Sequence, residues 1–204
     1  MKMTVELHSK AAFRTNARDA LMAMTEDERI LASETIQRLI IETEEYRSSS
    51  CVMLYSPYGA EVSTSELLSN ALESEKRIFL PVFRDSEYLP GEYTPDTELV
   101  RGKYGILEPT HGVCASYPEK LFVIAPGLAF DRNGHRLGKG LGYYDRMLTS
   151  LTAAGTLCFC AGLVYASNLY PFIPHDETDF DVDVVVTENE LVRCASTKAG
   201  ASFK

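Results

Sequence analysis

Short apolar runs recur along this chain with helical stretches between them, at residues 51–55, 77–82, 121–125, 156–161 and 182–186. Each run has the length of one strand buried on both faces, so it shows little alternation with polar residues. Residues 11–24 contain no glycine or proline and read as a helix. Thr25 with Glu28 three positions on forms a capping box, which opens a second helix predicted over 26–45. Ile30, Leu31, Ile36, Leu39 and Ile40 give it an apolar face. A third helix is predicted from a Ser63 or Thr64 cap to Ser74, and a fourth over 141–154. Residues 85–110 are rich in turn formers, with short strands near Leu99 and Ile106. Apolar strands alternating with helices predict an α/β fold: three layers, with a mostly parallel sheet covered on both sides. A length of 204 residues predicts one domain over 1–204. Ligands of such sheets sit beyond the carboxyl ends of the strands. The loops 56–63, 126–140 and 166–181 each follow a strand, so they are expected to converge on one cleft.

The net charge is −9. Nucleic-acid binding needs a basic face, so no nucleic-acid partner is expected. Five cysteines do not make an even disulfide framework, and Cys158 and Cys160 lack the spacing of a zinc or redox pair. With Cys51 they read as buried strand residues of a reducing compartment. No apolar run is long enough to span a membrane and no signal-peptide core stands near Met1, so no membrane partner is expected. The cytosol is the expected location. Lys2, Lys10, Arg14 and Arg18 raise a mitochondrial address, against which Glu6 and Asp19 count.

Residues 136–146 read Arg-Leu-Gly-Lys-Gly-Leu-Gly-Tyr-Tyr-Asp-Arg. Gly138, Gly140 and Gly142 let the backbone take positive φ and come close to a ligand. The helix that follows offers free N–H groups and a positive dipole end, an anion site. Arg136 and Lys139 add charge, and Asp145 offers a carboxylate to a hard cation. One segment thus holds the parts needed for phosphate with Mg²⁺. The plain alternative is a glycine-softened turn with solvated basic residues. No Walker P-loop, GxGxxG fingerprint or HExxH zinc motif occurs.

Other candidates have plain alternatives too. Lys10 and Arg14 lie one helical turn apart and could clamp phosphate or simply form a solvated face. Asp145 is a first-turn acid that complements the helix dipole. Asp183 lies inside an apolar run, where a charge needs a partner, and with Asp145 it could share one Mg²⁺. Tyr143 and Tyr144 are half-buried core residues or stacking platforms. Phe130 reads as core filler. Glu61 is solvated by default, or accepts from a substrate N–H. His175-Asp176 is read as a loop hydrogen bond.

These residues together resemble the 5-formyltetrahydrofolate cyclo-ligase family. The pattern Pro-Gly-x-x-Phe-Asp-x-x-Gly-x-Arg-Leu-Gly-x-Gly-x-Gly-Tyr-Tyr-Asp occupies 126–145. Lys10 and Arg14 match an N-terminal Lys-x-x-x-Arg, and Glu61 with Thr64 matches Glu-x-x-Thr. A late segment, 171–176, ends in His-Asp, and Asp-x-Val-Val-Thr stands at 183–187. The resemblance covers about residues 10–190. It implies a fold similar to the sugar-phosphate isomerase and CoA-transferase group. It implies conversion of 5-formyltetrahydrofolate and MgATP to 5,10-methenyltetrahydrofolate, ADP and phosphate through an iminium phosphate. Mg²⁺ would be the cofactor, and the chain is expected to be a monomer, with a dimer as the alternative. Carried onto these positions, ATP would meet Lys10, Arg14, Arg136, Leu137, Gly138, Lys139, Gly140, Leu141, Gly142, Tyr143 and Tyr144. The folate would meet Ser56, Glu61, Lys139 and Tyr143. Catalysis would rest on Lys139, Arg136 and Asp145, and metal binding on Asp145 and Asp183. The spacing from His175-Asp176 to the last strand is about two residues longer than the family pattern, which makes Asp181 a rival to Asp183. Two other readings stay open: a non-catalytic nucleotide- or RNA-binding relative, and an enzyme of this fold acting on another N-acyl or sugar-phosphate substrate.

Overall fold

The architecture follows from side-chain alternation in the central strands. The computed structural model describes residues 9–110, 112–114 and 116–195. Strands β1 (Cys51–Met53), β2 (Arg77–Arg84), β6 (Lys120–Ala125), β9 (Leu157–Leu163) and β11 (Val184–Val186) run parallel, in the order β11-β9-β6-β1-β2. Successive side chains point to opposite faces. Val52, Ile78, Phe122, Ile124, Ala161, Val184 and Val186 therefore share one core. Met53, Phe79, Leu121, Val123, Cys160 and Val185 share the other.

Helices α1 (Lys10–Ala23), α2 (Glu26–Ile41), α3 (Glu44–Ser48) and α4 (Ser65–Glu73) supply the first core with Ala17, Leu21, Ile36, Ile40, Tyr46, Leu67 and Ala71. Helix α5 (Tyr143–Ala153) supplies the second with Met147, Leu148 and Leu151. The covered sheet and its three layers agree with the expectation. Phe130 is fully buried, as expected. Cys51 and Cys160 are buried as read, whereas Cys158 is only half-buried.

Several elements differ from the sequence reading. The helix expected over 26–45 ends at Ile41, and α3 starts after Thr43. The Thr43 hydroxyl donates to the Ile40 carbonyl (2.7 Å) and accepts from the Tyr46 N–H (3.3 Å), so the side chain replaces helical bonds and restarts the helix. Its capping box at Thr25 and Glu28 is present as read. A strand was missed in the turn-rich region: β3 (Glu87–Tyr93) pairs antiparallel with β2 through a tight turn at Asp85 and Ser86, both at positive φ. Pro90 is tolerated there because β3 is an edge strand. A second antiparallel strand, β12 (Leu191–Arg193), closes the other edge. The sheet is mixed, with a parallel centre. The expected short strands near Leu99 and Ile106 form a hairpin, β4 (Leu99–Arg101) and β5 (Leu107–Pro109). No helix among the described residues is long and apolar enough to cross a membrane.

Candidate active site

The segment 126–142 reaches its position by folding back on itself. Strands β7 (Ala129–Asp131) and β8 (Arg136–Leu137) pair antiparallel, and β10 (Leu169–Tyr170) adds to β7. Asp131, fully buried, fixes the turn between β7 and β8. Its carboxylate accepts from the N–H groups of Asn133 (2.9 Å), His135 (3.1 Å) and Ile173 (3.0 Å) and contacts His135 Nδ1 (2.8 Å). His175 stacks on His135 with ring centres 3.6 Å apart. A buried Asn168 amide donates to Ala17 O (3.0 Å) on α1 and Leu128 O (2.7 Å) after β6. That side chain ties the helix carrying Lys10 and Arg14 to the loop carrying the glycines.

These ties leave a cavity of about 520 Å³ bordered by the loops after β1 and β6, the 170s loop and the start of α5. The convergence expected of the three loops is present. Arg14 Nε donates to Gly138 O (2.9 Å), so α1 holds the glycine segment directly. Gly140 and Gly142 have φ of +104° and +64°, the left-handed region where a side chain is strained. Gly142 is the N-cap of α5 and brings no side-chain cap, so the start of α5 lines the cavity with first-turn N–H groups that no capping side chain satisfies.

Every site residue expected from the sequence lines this cavity except Asp183. Arg136 is buried: it donates to Pro126 O (3.2 Å), pairs with Asp145 Oδ1, and its Nε makes no hydrogen bond with a described residue. Asp145 Oδ1 also accepts from the Phe180 N–H (3.1 Å). Lys139 Nζ lies 2.7 Å from Glu61 Oε1, and Glu61 Oε2 accepts from the Tyr58 N–H (2.9 Å). The Glu61 side chain is only 10% exposed, so the solvated reading of it fails. Ser56 donates to Leu107 O (2.7 Å), joining its loop to β5.

Lys10 bridges Asp176 (2.7 Å) and Asp179 (2.5 Å). Burial alone would lower the Lys10 pKa, but the two carboxylates outweigh it and the net shift is upward. Asp179 moves the other way. Burial raises it, and the bonds from Lys10 and the Asp176 N–H prevail, leaving it below 3.8. Asp176 is therefore an ion-pair partner of the clamp, more than a loop hydrogen bond.

The aromatic side of the cavity went largely unread in the sequence. Tyr88 on β3 and Tyr104 between β4 and β5 line it beside Tyr143 and Tyr144. Tyr143 packs edge-on against Phe83 and Tyr88, with centroids 5.1 and 5.5 Å away. Its hydroxyl meets that of Tyr104 at 2.8 Å. Burial pushes the Tyr144 phenol well above its usual range and Tyr88 to about 12, so both stay protonated donors. Tyr58 is half exposed, with Lys139 Nζ 4.9 Å from its ring centre. No signal short of the fold marked Asp179, Tyr58, Tyr88 or Tyr104.

Asp183 is the one expected site residue that does not line the cavity. Its Oδ2 accepts from the Cys160 N–H (2.7 Å), and its backbone bonds to Cys160 and Cys194. One oxygen of this carboxylate is thus held by the neighbouring strand β9. Asp181, its rival, does not line the cavity either. No group of three or more His, Cys, Asp or Glu side chains placed to hold a metal occurs among the described residues. Asp145 is the carboxylate of the 136–146 segment that lines the cavity, and an Mg²⁺ carried in on phosphate oxygens would keep most of its waters and phosphate ligands.

Comparison with known proteins shows the family and the fold. The family model described as the 5-formyltetrahydrofolate cyclo-ligase family matches residues 6–188. A Haemophilus influenzae 5-formyltetrahydrofolate cyclo-ligase is 31% identical over 177 residues, covering 83% of this chain and 94% of its own. A Mus musculus protein of the same name is 26% identical over 191 residues, covering 89% and 94%. The NMR structure of Aquifex aeolicus 5,10-methenyltetrahydrofolate synthetase superimposes with a TM-score of 0.79 at 31% identity, over 95% of this chain and 96% of that one. By its signature, its fold and these relatives, this chain belongs to the 5-formyltetrahydrofolate cyclo-ligase family of enzymes.

Proposed function

We propose that this chain, as one domain, converts 5-formyltetrahydrofolate and MgATP to 5,10-methenyltetrahydrofolate, ADP and phosphate. The observation that carries the reading is one cavity in which phosphate-directed groups meet a carboxylate–ammonium pair. Lys10, Arg14 and the uncapped start of α5 border it together with Glu61 and Lys139.

An amide oxygen is a poor leaving group. In this reading the formyl oxygen attacks the γ-phosphorus of ATP, ADP departs, and the oxygen becomes a phosphate ester of an iminium carbon. The folate N10 then attacks that carbon and gives up its proton to solvent, and phosphate leaves with the former formyl oxygen as the ring closes. The protein's work is alignment and charge stabilisation. Lys10, Arg14 and the amides of Gly138–Gly142 hold the phosphates. Arg136, fixed by Asp145, adds positive charge from below. Lys139 stabilises the transferring phosphoryl group, exchanging its bond to Glu61 for phosphate oxygens. Glu61, released, accepts from a pterin N–H. Tyr143 and Tyr144 form the aromatic surface against which the ring system packs, and Ser56 offers a backbone contact. Asp145 would hold Mg²⁺, which would neutralise charge on the phosphates. The overall acidic charge argues against a nucleic-acid partner.

The test mixes the purified protein with 5-formyltetrahydrofolate and MgATP and follows the near-ultraviolet absorbance of the methenyl product. A rise that needs both ATP and Mg²⁺ is expected. A folded protein that binds ATP yet gives no rise overturns the reading and favours another N-acyl substrate.

A further inference from the structure

Two cations outside the phosphate-directed set lie against Tyr104 and Tyr143, which line the cavity. Lys103, in the turn between β4 and β5, is exposed, with Nζ 5.1 Å from the Phe83 ring centre and 5.6 Å from that of Tyr104. Arg146, one residue after Asp145 on α5, is exposed, with its guanidinium carbon 4.9 Å from the Tyr143 ring centre. Tyr104 and Tyr143 share the hydroxyl bond described above and line the cavity. Lys103 and Arg146 thus flank one phenol pair. The bond from Tyr104 is the main cause that raises the Tyr143 phenol, and the fields of Lys103 and Arg146 both pull against it. Both charges therefore reach the same point of the wall.

Neither cation makes an ion pair among the described residues, although acidic side chains outnumber basic ones 29 to 20. Lys10, Arg136 and Lys139, by contrast, all have carboxylate partners. A cation laid on an aromatic face keeps its apolar stem packed and its N–H donors turned outward. Arg146 uses one donor on Leu141 O (3.2 Å), and the guanidinium has others to give.

Resting on the cyclo-ligase reading, we propose that Lys103 and Arg146 bind the glutamate carboxylates of the folate substrate. The assignment follows from what is left over. Phosphates are served by Lys10, Arg14 and the α5 start, and the pterin by Glu61. The substrate's remaining charged group is a glutamate with two ionised carboxylates. It lies across an aryl ring from the pterin, and here two cations without an ion-pair partner among the described residues lie over the rings of Tyr104 and Tyr143. Arg offers a fork to one carboxylate and Lys a point charge to the other. The contacts sit at a solvent-exposed rim, so they set substrate preference more than rate.

The test uses Lys103→Met and Arg146→Gln, which keep the packed stems and remove the charges. KM is measured for 5-formyltetrahydrofolate, for its dimethyl ester with both carboxylates neutralised, and for ATP. Each variant is expected to raise KM for the free acid about two- to five-fold, and the pair about ten-fold, with kcat far less affected. Wild type should prefer acid over ester, and the double variant should lose that preference. A double variant that still prefers the acid as wild type does overturns the proposal. So does a rise confined to the KM of ATP, which would give these cations to the nucleotide. No methenyl product from wild type with the free acid overturns the cyclo-ligase reading, and this proposal with it.

Discussion

At position 61 one carboxylate serves two donors, the Lys139 ammonium and the Tyr58 N–H. Glu61→Gln keeps the shape and removes the charge. A charge-assisted bond contributes roughly 1.5–3 kcal/mol, so KM for the folate substrate should rise on the order of ten-fold or more. Steady-state kinetics on both substrates check this; a change confined to ATP would place the pterin elsewhere. Asp145 behaves differently, because its partner Arg136 is buried. Asp145→Ala leaves that guanidinium without its counter-charge and should destabilise the fold by on the order of 3 kcal/mol, read from the urea midpoint, besides removing turnover. An unchanged midpoint would mean that the pair is not holding the glycine loop. Residues 136–146 were legible because backbone, charge and helix start coincide in one short stretch. The surroundings of Asp183 were not legible, because a polar residue in an apolar strand can be satisfied by the next strand's N–H, and sequence spacing does not say which way it points.

At the scale of elements, strands and helices with a clear period were readable, and those defined by a neighbour were not. β3 carries Pro90 and Gly91 and shows no strand signal alone; pairing with β2 makes it one. The contact that seats the site is also between elements. Phe130 of β7 packs so closely on β9 that a Cβ at Gly162 would fall 2.3 Å from its ring. Phe130 is fully buried and has nowhere to move. Gly162→Ala should therefore cost about 1–3 kcal/mol by overpacking, and Phe130→Leu in the same chain should recover part of the loss. Thermal or urea unfolding of the two single variants and the double variant measures the coupling. Additive losses would show that the two side chains do not meet.

The whole molecule is closed by contacts between distant parts of the chain, and Lys10 with Asp179, 169 residues apart, joins the first helix to the late loop beside the cavity. Its pH dependence follows from two opposite shifts. Asp179 is held below its ordinary 3.8, so its contribution is fully present above that value and is lost as pH falls through the depressed folded pKa. Lys10 is held above its ordinary 10.5, so its contribution is fully present below that value and is lost as pH rises through the raised folded pKa. The tie is at full strength between the two. The urea midpoint of wild type should exceed that of Lys10→Met by a constant margin across neutral pH, and the margin should close in strong acid as Asp179 protonates. The same variant should raise KM for ATP at neutral pH, because the proposed function has the ammonium that closes the molecule also bind the phosphates. A margin that does not vary with pH while KM rises would make Lys10 a nucleotide contact with no part in closure. A margin that closes in acid without a change in KM would make it a structural tie alone.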